Sequence, residues 1–311
     1  MRPFLSRILA VAVVGTISAG VALGPAVATY PGSNGDIVYA TDGGVRAMSD
    51  DGSGDHVFTT LGGFIGDVAF SADGTKAAVV DSTGRGDRIV LLDLPDDIRR
   101  VVLSVHRWAT EIEGALSSVA LAPHARRIAF SDGSYPRHLY TIHVDGSELT
   151  MIAKGYADAD WGSNGRIVAS KGIFHFQGKR LITTMDPNGR NKTLLATFPP
   201  VNDSWTSVYE LVPSWSPDAS AVVFAAQRYR ITPDIWWVAS DGSNLHKLTD
   251  SVSESEAGPV FSPDGTEIVF SRVDPPSDDS DLWLMDPTGG NLTQLTDTPA
   301  SFEYPLAWQP N

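Results

Sequence analysis

The chain has 311 residues, of which 42% are hydrophobic and 19% charged, so its composition predicts a folded, soluble protein rather than a disordered one. It contains no cysteine, which excludes disulfides, thiolate metal sites and cysteine nucleophiles. A formal net charge of −14 disfavours binding to nucleic-acid phosphates and to anionic membrane surfaces, because both need clustered Lys and Arg.

The first 28 residues have the three parts of a secretory signal peptide. Two arginines supply a positive region, residues 8–23 form an apolar stretch, and Ala-Val-Ala at 26–28 is a small-x-small cleavage motif. Cleavage there predicts a mature chain that begins at Thr29, is secreted or periplasmic, and does not insert into a membrane. The alternative is an uncleaved anchor, since the apolar stretch approaches spanning length. The glycines and the proline near its end favour cleavage.

A short motif, an aromatic residue followed by Ser-Pro-Asp-Gly, returns along the rest of the chain. It reads AFSADGTKAAV from Ala69, SWSPDASAVVF from Ser214 and VFSPDGTEIVF from Val260. Aligning these copies with three weaker ones gives six equivalent positions at the end of a predicted first strand. These anchor residues are Phe70, Leu121, Trp161, Trp215, Phe261 and Trp308. Their separations of 40 to 54 residues surround the period of about 40 to 50 that is typical of propeller blades with four strands each.

Each repeat contains four predicted strands. The anchor residue ends the first, and a tight turn follows, as at Asp73-Gly74, because Asp-Gly tolerates the left-handed backbone that such turns need. A second strand such as EIVF, a third such as DLWLMDP and a short outer strand such as TQLT complete the repeat. No segment after residue 28 shows sustained helical periodicity. The mature chain is therefore predicted to be all-β.

The two ends of the chain are predicted to share one blade. Residues 37–60 contain only strands two, three and four of a repeat, and EYPLAWQP near the C-terminus contains only strand one. Joining them closes the ring and hides its innermost edges, which an isolated small sheet would expose. Six anchor residues then mean a six-bladed β-propeller with four antiparallel strands per blade, a single domain over residues 29–311.

The two best-preserved copies resemble the WD40-like repeats of the TolB-type six-bladed propeller. They read PSWSPDASAVVF…PDIWWVASDGSNLHKLT and PVFSPDGTEIVFS…SDLWLMDPTGGNLTQLT, and the resemblance covers residues 34–311. The same repeat builds the propeller domain of prolyl-oligopeptidase-type peptidases. The resemblance implies a fold but no function, because the shared residues are turn and core residues. TolB carries an extra N-terminal domain and the peptidases carry a hydrolase domain, and neither fits this chain.

Topology assigns the variable segments to one face. Turns between strands one and two and between three and four share one side of the ring, while loops between strands two and three and links between blades share the other. The second set is longer and more varied, as binding loops are. Its aromatic and basic residues are of the kinds that stack on and hydrogen-bond to proteins and sugars. The predicted ligand-binding residues are Trp108, Tyr135, Arg137, Phe174, His175, Trp205, Tyr209, Arg228, Tyr229 and Arg230. Alternatively, the aromatics fill gaps between blades and the arginines pair with the acidic excess.

Three glutamates share one register position, five residues before an anchor residue. They are Glu210, Glu256 and Glu303, in consecutive blades and at the predicted channel mouth. Carboxylates that converge on an axis repel one another unless a cation lies between them, so the position predicts a Ca²⁺ site or a seat for a cationic ligand group. The alternative is that each Glu accepts backbone N–H bonds from the adjacent blade. Asp67 and Asp158 stand three residues before their anchors in two other blades.

No convincing catalytic motif is present. The mature chain lacks a Gly-x-Ser-x-Gly elbow, and its histidines are scattered without zinc-binding spacing. His106, His138 and His175 fall on or beside the variable face and remain candidate acid–base groups. No organic cofactor is predicted.

The pattern favours an exported, monomeric, non-enzymatic propeller that binds a protein or a cell-envelope glycan. Two alternatives remain: a small secreted metal-dependent hydrolase, lactonase or lyase with its site at the channel mouth, and a purely structural module.

Overall fold

The structure is a computed structural model, and it describes residues 30–106, 112, 115–133, 136–171, 180–198, 211–227, 232–275, 279–299 and 301–311. These residues form β-strands, turns and loops, and none of them is helical. Among them, therefore, no helix is long and apolar enough to cross a bilayer.

The strands form six antiparallel sheets of four, which confirms the predicted blade count. The first blade takes three of its strands from the N-terminal end: β1 (Asn34–Thr41), β2 (Gly44–Met48) and β3 (His56–Val57). Blade two contains β4 (Phe64–Phe70), β5 (Lys76–Thr83), β6 (Gly86–Asp93) and β7 (Ile98–His106). Blade three contains β8 (Leu116–Leu121), β9 (Arg127–Asp132), β10 (His138–His143) and β11 (Thr150–Lys154).

The remaining blades repeat the order. Blade four contains β12 (Ala157–Trp161), β13 (Ile167–Lys171), β14 (Arg180–Met185) and β15 (Thr193–Phe198). Blade five contains β16 (Ser214–Trp215), β17 (Ala221–Ala226), β18 (Asp234–Ala239) and β19 (His246–Lys247). Blade six contains β20 (Ser255–Phe261), β21 (Ile268–Val273), β22 (Ser280–Met285) and β23 (Thr293–Gln294), and β24 (Tyr304–Pro310) follows.

The C-terminal strand closes the ring, as predicted. β24 pairs antiparallel with β1, with Trp308 opposite Ile37 and Tyr304 opposite Ala40, and it becomes the inner strand of blade one. The innermost strands contact one another in cyclic order: β24 with β4, β4 with β8, β8 with β12, β12 with β16, β16 with β20, and β20 with β24. Each described inner strand therefore packs beside the inner strands of two neighbouring blades, which is how a propeller protects its strand edges.

The recurring sequence motif is a hydrogen-bonded turn. In blade two the hydroxyl of Ser71 donates to Oδ1 of Asp73 at 2.6 Å, and the same oxygen accepts the Thr75 N–H at 3.1 Å. The hydroxyl also holds the Lys76 N–H at 3.0 Å, so one serine organises both sides of the turn. The same Ser–Asp bond recurs in two other blades, between Ser216 and Asp218 and between Ser262 and Asp264.

The anchor residues form the buried ends of the inner strands. All six are at most 3% exposed, and they lie in apolar clusters between adjacent blades. Each blade therefore buries both of its faces against two neighbours, so the core is a ring of interfaces rather than one central cluster. This arrangement places every strand end on one of the two faces of the ring, where a functional site must be built.

Candidate functional site

The two faces of the ring differ in how they are built. On one side, the turn face, strand one meets strand two and strand three meets strand four through short hydrogen-bonded turns. On the other side, the loop face, strands two and four end and strands one and three begin. The described strand ends on the loop face carry buried acidic, basic and amide side chains. On the turn face, by contrast, most aspartates lie in turns and are exposed.

Of the predicted ligand-binding residues, the structure describes Arg137. It immediately precedes β10 on the loop face, as predicted. The other nine lie outside the described residues: Trp108, Tyr135, Phe174, His175, Trp205, Tyr209, Arg228, Tyr229 and Arg230. Glu210 of the predicted metal set lies outside them too, as does His175 among the candidate acid–base groups.

Arg137 joins blade three to blade four. Its Nη1 lies 3.2 Å from Oδ1 of Asp158 in β12, and the other carboxylate oxygen of Asp158 accepts the Ser170 hydroxyl at 2.6 Å. Asp158 is 3% exposed in its side chain and has a left-handed backbone with φ of 51°. Non-glycine residues rarely adopt that conformation, and it concentrates at sites where the surroundings demand a particular side-chain direction.

A second polar group lies beside it in blade three. The buried carboxylate of Asp132, at the end of β9, accepts the backbone N–H of His138 at 2.7 Å and lies 3.2 Å from Nδ1 of the same residue. The Tyr140 hydroxyl donates to the same carboxylate at 3.3 Å. A carboxylate at Nδ1 fixes the orientation of the imidazole and favours the tautomer with its proton on that nitrogen. His138 is thus held at the loop face with a defined ring position, next in sequence to Arg137.

Arg180 joins blade four to blade five. It is the first residue of β14, is 5% exposed, and donates from Nη2 to the carbonyl of Gln227, which follows β17. Its Nε and Nη1 are buried and have no hydrogen-bond partner among the described residues. Burial lowers the pKa of Arg180 to about 10, so the guanidinium is still protonated at neutral pH. The side-chain oxygens of Gln227 and Thr232 are also buried without partners at this seam.

The predicted metal glutamates that the structure describes are held by hydroxyl groups. Glu256 is fully buried and accepts bonds from the hydroxyls of Thr249 and, at 2.8 Å, Ser251. Burial raises its pKa, partly offset by these bonds. Thr249 also accepts the N–H of Ile235 in β18 at 2.9 Å, so the carboxylate ties blade five to the first strand of blade six.

Glu303 occupies the equivalent position one blade later, but its contacts differ. It is 3% exposed, burial raises its pKa, and the nearby hydroxyls of Thr296 and Thr298 partly offset that rise, while its buried Oε2 has no hydrogen-bond partner in the described part of the chain. Thr296 again accepts a backbone N–H, from Leu282 at 2.9 Å. Glu256 therefore accepts hydroxyl groups rather than the backbone N–H bonds that were the alternative to a metal site. Within the described part of the chain, no group of three or more acidic or histidine side chains is arranged to hold a metal ion.

Aspartates, not glutamates, accept backbone N–H groups across the blade seams. Asp67 in β4 accepts the N–H of Val119 in β8 at 2.7 Å, and Asp160 in β12 accepts the N–H of Trp215 in β16 at 2.6 Å. Both are fully buried, and burial raises the pKa of Asp67 well above its usual range and that of Asp160 to about 8. In blade four the equivalent of Asp67 is therefore Asp160, whereas the spacing pointed to Asp158.

Sequence reasoning found the loop face but missed its best-defined polar groups. Arg180, Gln227 and Asp132 are not in the predicted set, because none of them belongs to the repeated motif. The signal for the glutamate contacts is in the sequence: LTDS at 248–251 and LTDT at 295–298 precede Glu256 and Glu303 at the same spacing. The Glu256 carboxylate accepts the Thr249 and Ser251 hydroxyls of LTDS, and LTDT places Thr296 and Thr298 near Glu303.

No protein-family model matches the chain, and no curated protein matches it in sequence. Solved structures do match. The chain is similar to TolB from Acinetobacter baumannii, with a TM-score of 0.67 and 15% identity over 89% of this chain, and it spans 66% of that structure's length. A chain of a nidogen–laminin complex matches with a TM-score of 0.67 and 10% identity, over 88% of this chain and 98% of its own. An oligogalacturonate lyase in complex with manganese matches with a TM-score of 0.53 and 19% identity, over 87% of this chain and 75% of its own.

These similarities show that the chain has the TolB-like six-bladed fold. Binding proteins and enzymes both share it, so the fold alone does not assign an activity. What the chain can do chemically depends on its own loop face, with an oriented histidine, an arginine paired across a seam, and a buried arginine whose donors are only partly used.

Proposed function

We propose that this chain is an exported, non-enzymatic propeller that binds a protein or a cell-envelope glycan on its loop face. Export rests on the N-terminal sequence, with its basic start, apolar stretch and Ala-Val-Ala motif. Binding rests mainly on one observation: Arg180 is a buried cation on the loop face with two donor atoms that the described residues do not satisfy.

The surroundings of Arg180 support a recognition role. Arg137, His138 and Arg180 stand at the starts of strand three in adjacent blades, so cationic and hydrogen-bonding groups follow the same edge of the ring. The acidic partners of Arg137 and His138, Asp158 and Asp132, are buried and fix the positions of these two side chains. Groups preorganised in this way lose little conformational entropy when a ligand binds. The predicted aromatic residues of the same face would add stacking surface.

The contacts of the glutamates favour binding over metal chemistry at the channel mouth. Glu256 is committed to hydroxyl groups of its own seam, and those bonds tie one blade to the next. A metal ligand must give up such partners. The lactonase, hydrolase or lyase alternative would therefore need a different set of residues from the one that the sequence suggests.

The proposal is tested by capture from an envelope fraction of the source cells on immobilised mature protein. Two loop-face variants should each reduce capture at least tenfold. One is the double variant Arg228→Ala with Tyr229→Ala, and the other is Arg137→Ala. A tenfold loss corresponds to about 1.4 kcal/mol of binding free energy, which the loss of one interface anchor can cause. The matched control is Arg126→Ala with Arg190→Ala, which removes two exposed arginines of the turn face. This control should capture as the native protein does.

Treatment of the fraction before capture separates the two target classes. Protease should abolish capture of a protein and leave a glycan, whereas periodate should do the reverse. If the loop-face variants capture as well as the native protein, or if the turn-face control loses capture equally, the loop face is not the binding surface.

A further inference from the structure

The sequence contains the dipeptide Asn-Gly three times, at Asn34-Gly35, Asn164-Gly165 and Asn188-Gly189. The second and third copies belong to the same tripeptide, Asn-Gly-Arg, and both lie in turns of blade four on the turn face. Asn-Gly favours such turns because both residues tolerate a left-handed backbone. It is also the context in which asparagine, a thermolabile residue, reacts most readily, because glycine has no side chain to shield its backbone nitrogen. The two turns of blade four therefore form a matched pair with identical reacting residues.

The hydrogen bonds of these two turns are the same. In each turn, Oδ1 of the asparagine accepts the N–H of the arginine, at 2.9 Å for Asn164 and at 3.0 Å for Asn188. The glycine N–H donates to a carbonyl three residues earlier, at 2.9 Å from Gly165 and at 2.8 Å from Gly189. The φ angles of the two glycines are 77° and 75°. Local hydrogen bonding therefore restrains both asparagines equally.

The space around the two glycines differs. A Cβ built on Gly189 would lie 2.0 Å from the carbonyl oxygen of Ile152 in β11, so this turn is packed against the outer strand of blade three. A Cβ built on Gly165 would meet nothing within 4 Å. Both asparagines are exposed to solvent. Gly165 can therefore move without displacing a neighbouring strand, whereas Gly189 cannot.

The third Asn-Gly pair is enclosed in the blade that closes the ring. Asn34 is the first residue of β1, and its side chain is held at both ends: Oδ1 accepts the N–H of Asp264 at 3.2 Å, and Nδ2 donates to Asp50 at 3.4 Å. A Cβ built on Gly35 would lie 2.8 Å from the carbonyl oxygen of Gln309. The side chain and the backbone of this pair are therefore both fixed.

We propose that Asn164 is a site of spontaneous deamidation, and that its aspartate product restores the acidic turn of the other blades. The backbone nitrogen of Gly165 loses its proton and forms a bond to Cγ of Asn164, and the side-chain nitrogen leaves as ammonia. Water then opens the resulting succinimide ring at one of its two carbonyl carbons, which gives aspartate or the β-linked isoaspartate. The Gly165 nitrogen must give up its hydrogen bond and turn towards Cγ, a movement that the open turn permits and the packed turn at Gly189 resists.

The aspartate product fits the fold. Aspartate occupies the equivalent position in three other blades, at Asp73, Asp218 and Asp264. Oδ1 of each accepts the N–H of the residue two positions later, as Oδ1 of Asn164 does from Arg166. An aspartate at this position is ionised at neutral pH, so its hydrogen bond becomes charge-assisted and stronger.

The isoaspartate product does not fit. It adds a methylene group to the main chain inside the turn, which is closed by a hydrogen bond of 2.9 Å from the N–H of Gly162 to the carbonyl of Arg166. A longer main chain moves these two groups apart, and the turn loses the bond that joins the ends of β12 and β13. Deamidation at Asn164 should therefore yield one stable and one destabilised form of the protein.

The first test is peptide mapping by mass spectrometry of the mature protein kept in mildly alkaline buffer at physiological temperature. We expect Asn164 to convert at least tenfold faster than Asn188 or Asn34, measured as a gain of one mass unit in its peptide. The reference is the same protein unfolded in urea, in which the two Asn-Gly-Arg sites should convert at equal rates because the fold no longer distinguishes them. No conversion of Asn164 in the folded protein, or conversion of Asn188 at the same or a higher rate, would overturn the proposal.

The second test compares the melting of aged variants. The aged native protein should develop a fraction that melts several degrees lower, which is the isoaspartate form. Asn164→Asp already carries the stable product, so its Tm should match that of the fresh native protein, and it should not develop the lower-melting fraction. Asn188→Asp is the matched control and should develop it as the native protein does. If aged Asn164→Asp develops the fraction equally, or if aged Asn188→Asp does not, the altered residue is not Asn164.

Discussion

The hydroxyl of Tyr30 donates a hydrogen bond of 2.5 Å to the backbone carbonyl of Leu121, the anchor residue of blade three. Two residues later, the N–H of Gly32 donates to the carbonyl of Pro263 in blade six at 3.1 Å. Blades three and six face each other across a six-membered ring, so the segment from Tyr30 to Gly32 crosses the axis. Leu121 and Pro263 both lie where strand one gives way to the turn, which puts this crossing at the turn face.

Because the Tyr30 side chain is fully buried on the axis, it should contribute to stability both as a hydrogen-bond donor and as core volume. We expect Tyr30→Phe to lower the free energy of unfolding by about 1 kcal/mol, the usual value of one hydrogen bond. Tyr30→Ala should lower it by about 3–5 kcal/mol, because it also leaves a cavity. Denaturant unfolding of the three proteins measures both differences. Equal midpoints for Tyr30→Ala and the native protein would show that the crossing is not part of the folded core.

Ring closure gives the next prediction. Removing residues 303–311 takes the inner strand from blade one and leaves β1 and β4 without a neighbour, so the whole domain should fail to fold cooperatively. Replacing Trp308 alone by Ala should cost about 3–5 kcal/mol, since the side chain is 1% exposed. Circular dichroism melting checks both. A truncated chain that melts like the native one would contradict closure through the C-terminus.

The turn between β4 and β5 in blade two packs against the closing strand β24 from the neighbouring blade. Gly74 has φ of 65°, and a Cβ built on it would lie 1.8 Å from the carbonyl oxygen of Pro310 in β24. Gly74→Ala should therefore destabilise the protein by about 2 kcal/mol or more, through backbone strain and displacement of the closing strand. Gly84→Ala is the control, because its Cβ would meet nothing within 4 Å and its φ is not positive. The free energy of unfolding of this control should stay within about 0.5 kcal/mol of the native value, as measured by denaturant unfolding.

The same turn position in blade five predicts the opposite effect. Ala219 stands where the other well-preserved copies have glycine, and it has φ of 55°. Ala219→Gly relieves a left-handed conformation that costs about 1 kcal/mol for a residue with a Cβ. A small rise in stability is expected in denaturant unfolding, and a fall would mean that packing of the methyl group outweighs backbone strain.

Blade number, closure and the identity of the two faces could be predicted because each rests on a pattern that repeats. Ser71, Ser216 and Ser262 occupy equivalent positions, and their hydroxyls form equivalent turns. The contacts of Arg180 and Tyr30 could not be predicted, because each occurs once and joins residues that are far apart in the sequence. The glutamate spacing was recognised, whereas the hydroxyls of the LTDS segment that Glu256 accepts were not, although that segment recurs as LTDT. Periodicity reveals what repeats in a propeller, whereas its specific chemistry lies in positions that do not repeat.

The glutamate contacts can be tested against the calcium prediction. Thr249→Val removes the hydroxyl that Glu256 and the N–H of Ile235 share, and it should lower the free energy of unfolding by about 1–3 kcal/mol because both groups lose a buried partner. Ser251→Ala should cost less, since that residue is only partly buried. If Ca²⁺ raises Tm by several degrees and Glu256→Gln removes the rise, the carboxylates bind metal as well. No response to Ca²⁺ would contradict the calcium prediction.

Asp160 gives a prediction about pH. It accepts the N–H of Trp215 across the seam of blades four and five, and burial raises its pKa to about 8. In the unfolded chain an aspartate titrates near about 3.9. Between these values the folded protein retains a proton that the unfolded chain has released, so the free energy of unfolding falls as pH rises through this window. Below about pH 4 both states are protonated and the contribution of Asp160 is fully present.

Other buried carboxyl groups act in the same direction, since burial also raises the pKa of Glu256 and of Glu303. Asp67, whose pKa burial also raises, acts in the same direction. The turn aspartates affect stability only at lower pH. The Ser71 hydroxyl holds the pKa of Asp73 below its usual value, so the stabilising effect of this carboxylate is lost only as pH falls under about 4. We therefore expect the native protein to be less stable at pH 8 than at pH 5, by at least about 1 kcal/mol, since one pKa unit corresponds to about 1.4 kcal/mol.

Asp160→Asn isolates the cause of this pH dependence. The amide oxygen can still accept the Trp215 N–H but cannot ionise, so the fall in stability between pH 5 and pH 8 should become smaller. Asp97→Asn is the control, because the side chain of Asp97 is 84% exposed and its replacement should leave the pH dependence unchanged. Denaturant midpoints at four pH values between 5 and 8 measure the slopes. Parallel curves for the native protein and Asp160→Asn would show that Asp160 is ionised inside the fold, so that its seam must contain a cation or enough water to replace the hydration lost on burial.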